Sequence, residues 1–230
     1  NFATYTMNSV FLSLAVMLIS LINASMAGYV FARKNFKGKE FLYMLFVAFM
    51  FINVGSVSLR PLFELAVKLK MNKSLLAVAI ISAGGGQATF IFLCRGFVNS
   101  VPKELDEAAK MDGCGFFRIY YQIILPMLKP ALATIGLFLA IGYWNEWYQS
   151  SLFLSEKMSV YPLQYTLYKV VNKVNSLKST VAGQYVDLSD LPSNGLKMAN
   201  AVLATGPVIL LYPFVQRYFI GGITVGAVKG

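Results

Sequence analysis

The chain has 230 residues, 57% of them hydrophobic, and its 20 Lys and Arg outnumber its 10 Asp and Glu to give a formal charge of +10. That apolar share excludes an ordinary soluble domain, and the lack of histidine excludes Ser-His-Asp and Cys-His catalysis and His-based metal sites. The basic balance reads as loop charge on a membrane protein rather than as a nucleic-acid surface, because cytoplasmic loops favour Lys and Arg.

Five stretches carry no Asp, Glu, Lys or Arg: residues 1–32, 41–59, 74–94, 130–145 and 198–216. A helix needs about 20 largely apolar residues to cross a bilayer, and only helices or closed barrels satisfy the backbone there. The runs are continuous rather than alternating, so helices are expected. The fold class is therefore an all-α membrane protein, a polytopic bundle with five transmembrane helices.

The first span is expected over 9–31, where Ala24, Ser25, Ala27 and Gly28 suit close helix packing. The chain begins with Asn1, and residues 1–32 lack the basic start of a signal peptide, so it reads as a piece without its initial segment. Arg33, Lys34, Lys37 and Lys39 then place the first loop in the cytoplasm. A second span over 41–59 ends at Arg60-Pro61. Leu62, Leu65, Ala66 and Leu69 follow as an interfacial amphipathic stretch. This loop is also basic, although the count puts it outside.

The third span, 75–97, contains Gly84-Gly85-Gly86-Gln87. No Lys with Ser or Thr follows the glycines, so they do not form a phosphate loop. Two readings stay open: a weak or closely packed point in a helix, or a hinge or unwound segment lining a pathway.

Next comes a polar segment. Pro102 suits a first turn, and Glu104, Asp106 and Glu107 favour the N-terminus of a helix. Gly113 is expected to end that helix in the left-handed conformation. Ala108 and Ala109 give a low-profile face that a partner can approach. Phe116, Phe117, Ile119, Tyr120 and Ile123 form a second, apolar element anchoring the segment. The fourth span is set at 129–151, with Pro126 and Pro130 at its start. It contains Tyr143-Trp144-Asn145-Glu146-Trp147, where Glu146 is the one charge between Lys129 and Glu156.

An external segment, 154–197, follows. In it Pro162 starts a helix with a stripe of Leu163, Leu167, Val170, Val171 and Val174. Lys169, Lys173 and Lys178 read as solvated charges, with an acidic partner or substrate as the other reading. The fifth span covers 198–220, and the glycine-rich tail 221–230 is flexible and cytoplasmic. Cys94 and Cys114 form no CxxC pair, and no structural disulfide is expected of them.

Glu107-Ala108-Ala109, Gly113, Ile123, Leu125 and Pro126 together resemble the cytoplasmic coupling motif of ABC importer permeases. From about Tyr5 to Gly230 the chain is similar to the smaller permease subunit of carbohydrate importers of the maltose type. Pro102, Trp144-Asn145-Glu146 and the ending Gly222…Gly226-Ala227-Val228-Lys229-Gly230 carry that likeness. The insert around 176–193 and the ending YPFVQRYFIGG resemble the subgroup that moves larger oligosaccharides or polysaccharide fragments.

The resemblance implies one permease domain over 1–230, of the ABC importer type I class, lacking the first of the family's usual six spans. It lies multi-pass in the bacterial cytoplasmic membrane. It implies a cytoplasmic coupling segment at 100–126, with Glu107, Ala108, Ala109, Asp112 and Gly113 against an ATPase, and an external loop at 154–197. It implies no catalytic, cofactor or metal site in this chain; ATP and Mg are bound by partner ATPase subunits. The implied partners are a second, different permease, two ATPase subunits, an extracellular or periplasmic sugar-binding protein, an oligosaccharide and the bilayer, with no nucleic acid. Tyr143, Trp144, Asn145, Glu146 and Trp147 become candidates for the sugar pathway, since aromatic faces and planar polar groups bind sugars. An interfacial aromatic belt is the other reading of the same five residues. Two functions compete: import of another polar solute, such as an amino acid or polyamine, and a channel or scaffold without an ATPase. The last leaves the coupling motif unexplained.

Overall fold

The computed structural model describes residues 2–52, 58–71, 74–154, 160–179, 195, 198–199 and 201–209. Among these residues the regular structure is helical.

The axis of the bundle is α1, Phe2–Arg33, whose 32 residues hold one charge, Arg33, at the very end. At 1.5 Å per residue the helix is roughly 48 Å long, ample for a hydrocarbon core of about 30 Å. One face of α1 is built from small residues, with Ser9, Ser13, Ser20, Ala24, Ser25 and Gly28 all buried. In a bilayer, helices gain by packing rather than by leaving water, and small residues allow that approach. Gly28 shows how close it is. A Cβ there would lie 2.6 Å from Cys94 Cβ and 2.9 Å from the backbone nitrogen of Arg95, on α5 (Gln87–Ser100).

Helix α1 also packs on α4 (Leu75–Ala83) and on α8 (Leu125–Trp144). The core forms three layers along it. Leu12, Val16, Val78 and Phe153 fill one end; Ala24, Ile91, Ile135 and Leu139 the middle; Tyr29, Val98, Ile119 and Leu128 the Arg33 end.

Two described helices are long and apolar enough to cross a membrane, Phe2–Arg33 and Phe116–Trp144, and the pair α4–α5 makes a third if counted as one bent span. The other two expected spans fall partly outside the described residues. Helix α2, Lys39–Phe51, covers the first part of the second, and the described residues of the fifth, 198–199 and 201–209, are helical. Arg60 and Pro61 do not simply close a span. They occupy the first turn of α3 (Leu59–Lys68), where a missing amide costs nothing.

The fourth span differs from expectation at both ends. The apolar element after Gly113 is not separate from it. Short α7 (Phe116–Ile119), a π-helical turn (Tyr120–Ile124) and α8 run on as 29 helical residues. Pro126 accounts for the wide turn: it has no N–H to give the carbonyl four residues back, and a π-turn just before it absorbs the mismatch. Tyr120, inside that turn, shares a 2.7 Å hydrogen bond with Ser25 of α1. The helix then stops at Trp144 rather than near 151, and α9 (Tyr148–Phe153) starts afresh. Helix α10 (Leu163–Ser179) begins directly after Pro162, as expected. Its start is pinned to α1: the Leu163 N–H donates to Ser9 Oγ at 2.8 Å, and Asn8 Nδ2 donates to the Tyr161 carbonyl at 3.0 Å.

Candidate functional site

At the Arg33 end, α6 (Lys103–Met111) stands between α5 and α7 as a short separate helix. Pro102 precedes it, with Glu104 and Asp106 in its first turn, where the helix dipole favours negative charge. Asp106 turns inward and is 4% exposed. Its Oδ2 lies 2.9 Å from Arg33 Nε, and both side chains are buried. Arg33 Nη2 also donates to the Val101 carbonyl at 2.5 Å. One guanidinium thus holds both the chain entering α6 and a side chain of its first turn.

The other end of α6 closes on Gly113 at φ 79°, the left-handed conformation expected there. The Gly113 N–H donates to the Lys110 carbonyl at 3.0 Å and the Cys114 N–H to the Ala109 carbonyl at 2.9 Å. This bond pair caps the last carbonyls of a helix and fixes its exit direction.

The two alanines divide. Ala109 does not belong to an outward low-profile face; it is buried in the core layer with Tyr29, Val98 and Ile119. Ala108 faces out, as do Glu107, Asp112 and Gly113. Beside them stand large apolar groups, with Met111 at 89% and Phe117 at 71% exposure, and Leu105 partly exposed one turn earlier.

The second region is a layer where two helices break side by side. Helices α4 and α5 meet at 59° across Gly84-Gly85-Gly86, and Gly86 has φ 72°. All three glycines are exposed. The adjacent break, at Asn145–Trp147, separates α8 from α9. Neutral hydrogen bonds join the two. Tyr143 Oη donates to the Ser82 carbonyl at 2.7 Å, and Ser82 Oγ donates to Gln149 Oε1.

The five aromatic and polar candidates take different places here. Trp144 is buried and its indole N–H donates to the Ala204 carbonyl at 2.9 Å. Trp147 stacks on Tyr168 with centroids 3.9 Å apart. Glu146 caps α9: Oε1 accepts from the Gln149 N–H at 2.5 Å, while Oε2 accepts from the Ser150 N–H at 3.1 Å and Ser150 Oγ at 2.9 Å. Asn145 is exposed; its Nδ2 donates to the Ile141 carbonyl and its Oδ1 accepts from Gln164. Tyr143 is half-buried and joins the two breaks.

Residues 21–225 match the family described as the binding-protein-dependent transport system inner membrane component. The chain belongs to that family. It is an ABC importer permease, a multi-pass inner-membrane subunit without a catalytic site of its own, in a system that depends on a separate binding protein.

Similar proteins include the arabinooligosaccharides transport system permease protein AraQ of Halalkalibacterium halodurans, 32% identical over 228 residues, spanning 99% of this chain and 74% of that one. The polygalacturonan/rhamnogalacturonan transport system permease protein YtcP of Bacillus subtilis is also 32% identical, over 96% of this chain and 75% of its own length. Among solved structures, a bacterial ABC transporter involved in the import of the acidic polysaccharide alginate superposes with a TM-score of 0.76 at 26% identity, covering 95% of this permease and 75% of that chain.

Sequence reading missed Arg33 and Asp106 as a pair. They lie 73 positions apart, and locally Arg33 reads as one of a basic loop cluster and Asp106 as an acidic group at a helix start. It also missed Met111, and Phe117, expected among the anchoring apolar residues, points outward instead; the exposure of both becomes visible only once Ala109 and Ile119 are known to face inward. The tail 221–230 and most of the insert 176–193 lie outside the described residues.

Proposed function

We propose that this permease imports oligosaccharides and that α6 is its coupling helix, docked by an ATPase subunit on the cytoplasmic side. The observation that carries this reading is the build of α6: a short helix tied inward by a buried ion pair, with its Leu105, Ala108 and Met111 turned outward and Phe117 of α7 exposed as well. An exposed apolar patch on a rigid support is what a protein partner needs. A surface with no partner gains nothing from Met111 standing almost free of its own chain.

A second, different permease completes the membrane pathway in this reading, and a second ATPase serves it. ATP and Mg belong to the ATPases. The glycine break lines the route. Unwound backbone at membrane depth persists only against water or protein, and here its outer side is open. Discontinuous helices supply the polar groups of many transporter sites. Tyr143 and the exposed Asn145 would face the sugar, whereas Glu146, Trp144 and Trp147 hold the layer in shape. The oligosaccharide class follows from the relatives, whose names span neutral and acidic glycans.

Two measurements test the proposal. Affinity purification of this chain from its native membrane should recover an ATPase, and Met111→Lys should lose it while leaving the partner permease bound. The partner binding protein should then be titrated with arabino-oligosaccharides, uronate oligosaccharides, an amino acid and a polyamine. Binding of the last two alone would reject the sugar reading.

A further inference from the structure

The Arg33 end carries a cavity that coupling leaves unused. It holds about 230 Å³ between the end of α1 and α6, and Tyr29 and Phe116 form one wall, their rings stacked with centroids 4.5 Å apart. Arg33, Lys34, Asp106 and Lys110 supply its polar lining. Two of these groups are incompletely used. Arg33 and Asp106 have side chains 6% and 5% exposed, yet Arg33 Nη1 and Asp106 Oδ1 have no hydrogen-bond partner among the described residues. A donor and an acceptor buried without partners cost free energy unless something satisfies them.

The charges say what fits. Arg33 and Asp106 offset each other. Lys34 and Lys110 are exposed, with Lys34 Nζ 4.3 Å from the centre of the Phe116 ring, and together they leave an excess of two positive charges. The occupant must therefore bring an anion for the lysines and the Arg33 guanidinium, and a donor for the Asp106 carboxylate. Depth narrows it further. Arg33 ends a 32-residue span whose other residues are uncharged, so the cavity sits where lipid phosphates lie.

We propose that this cavity holds the headgroup of an anionic glycerophospholipid, its phosphodiester set among Arg33, Lys34 and Lys110 and a headgroup hydroxyl donating to Asp106. The proposal rests on the reading that this end faces the cytoplasm, where the leaflet is anionic and basic pockets between helices collect such headgroups. A phosphocholine headgroup has no hydroxyl or N–H donor for Asp106 and carries a cation into a cationic site. Bound there, the lipid bridges α1 and α6 and stiffens the support of the docking surface.

The test uses the assembled transporter, delipidated and examined by native mass spectrometry with phosphatidylglycerol, phosphatidylcholine or glycerol 3-phosphate added. Phosphatidylglycerol should be retained in preference to phosphatidylcholine. The double variant Lys34→Gln, Lys110→Gln should weaken that retention about thirtyfold, a factor of roughly five for each lysine lost near an anionic lipid surface. The charge-matched pair Lys37→Gln, Lys39→Gln, outside the cavity, should leave it nearly unchanged. Equal losses from both pairs would mean a diffuse surface field and overturn the proposal. So would equal retention of phosphatidylcholine, or no retained lipid, as a partner chain in the cavity would give. Retention of glycerol 3-phosphate with the same lysine dependence, without phosphatidylglycerol, assigns the site to a soluble phosphate ester and rejects the lipid. ATPase subunits are counted in the same spectra. Their absence with lipid retained fails the docking reading alone.

Discussion

Two regions of this permease interrupt their helices, and they do it by different chemistry. Around α6 the interruption is locked. A buried guanidinium-carboxylate pair holds its start, a two-bond glycine cap holds its end, and Ala109 seats it in the core. Around Gly84–Gly86 the interruption is held by neutral hydrogen bonds from Tyr143 and Ser82, and its glycines are open to the outside. The first region is suited to transmit a push without bending. The second is suited to change shape.

The comparison breaks most severely at Arg33. Removing one member of a buried pair leaves the other charged and unpaired, at a cost of about 3–5 kcal/mol. Arg33→Ala should therefore lower the thermal transition of the purified complex sharply and release the ATPase. Replacing both partners, as Arg33→Met with Asp106→Leu, should recover most of the stability but not the coupling, if the pair exists to orient α6. Recovery of sugar-stimulated ATP hydrolysis in the double variant would show that the pair is merely structural.

Gly28 comes next, because α1 and α5 link the two regions through it. A valine there has no room against Cys94 and Arg95, and overpacking of this kind costs about 1–3 kcal/mol. Gly28→Val should reduce the amount of assembled complex recovered from membranes. Gly28→Ser should do so less. Normal assembly of the valine variant would mean that the helices separate at no cost.

Gly113 and Gly86 sharpen the contrast, since both sit at positive φ and neither has a hard obstacle to a side chain. A non-glycine residue in that conformation costs roughly 1–2 kcal/mol at either site. The functional result should differ. Gly113→Val redirects the exit of α6, so sugar uptake should collapse while sugar binding by the partner protein persists. Gly86→Ala should leave the ATPase docked and change the rate of transport. Equal uptake defects with equal ATPase loss would erase the distinction between a locked and a soft interruption.

How much of this was legible in the sequence follows from the range of each interaction. Helical membrane class came from uninterrupted apolar runs, a local property. The left-handed Gly113 and the start of α10 after Pro162 were equally local, because glycine and proline act on their own backbone. The glycine triplet left two readings open, since propensity alone cannot say whether neighbouring helices hold a weak point straight. Ala109 went wrong for a related reason. A small residue suits an outward docking face and an inward packed one equally well, and only the position of Tyr29 and Ile119 decides. The bond between Arg33 and Asp106 joins distant elements, and nothing local marks it. The joining of Phe116–Ile119 to the span through a π-turn was hidden by Pro126 and Pro130, which look like a boundary and turn out to lie inside one helical run.

The smallest expected effect concerns Glu146, where one carboxylate has two candidate roles. A charge within an apolar stretch invites a functional reading. Its geometry offers a nearer explanation, since both oxygens are engaged by the first amides of α9 and by Ser150. Glu146→Gln keeps one acceptor and loses the charge that favours a helix N-terminus. Loss of a cap costs about 0.5–2 kcal/mol, and this partial loss should fall near the lower limit. Sugar affinity of the assembled importer should then stay level while the thermal transition drops slightly. Glu146→Leu, which removes both acceptors, should cost more, and Asn145→Ala should alter sugar handling more than stability, because Asn145 is exposed and lies beside the break. A change in transport affinity from Glu146→Gln that exceeds its change in stability would return the carboxylate to the pathway. It would also mean that the amides of α9 release Glu146 when sugar arrives, making the soft region softer than its resting hydrogen bonds imply.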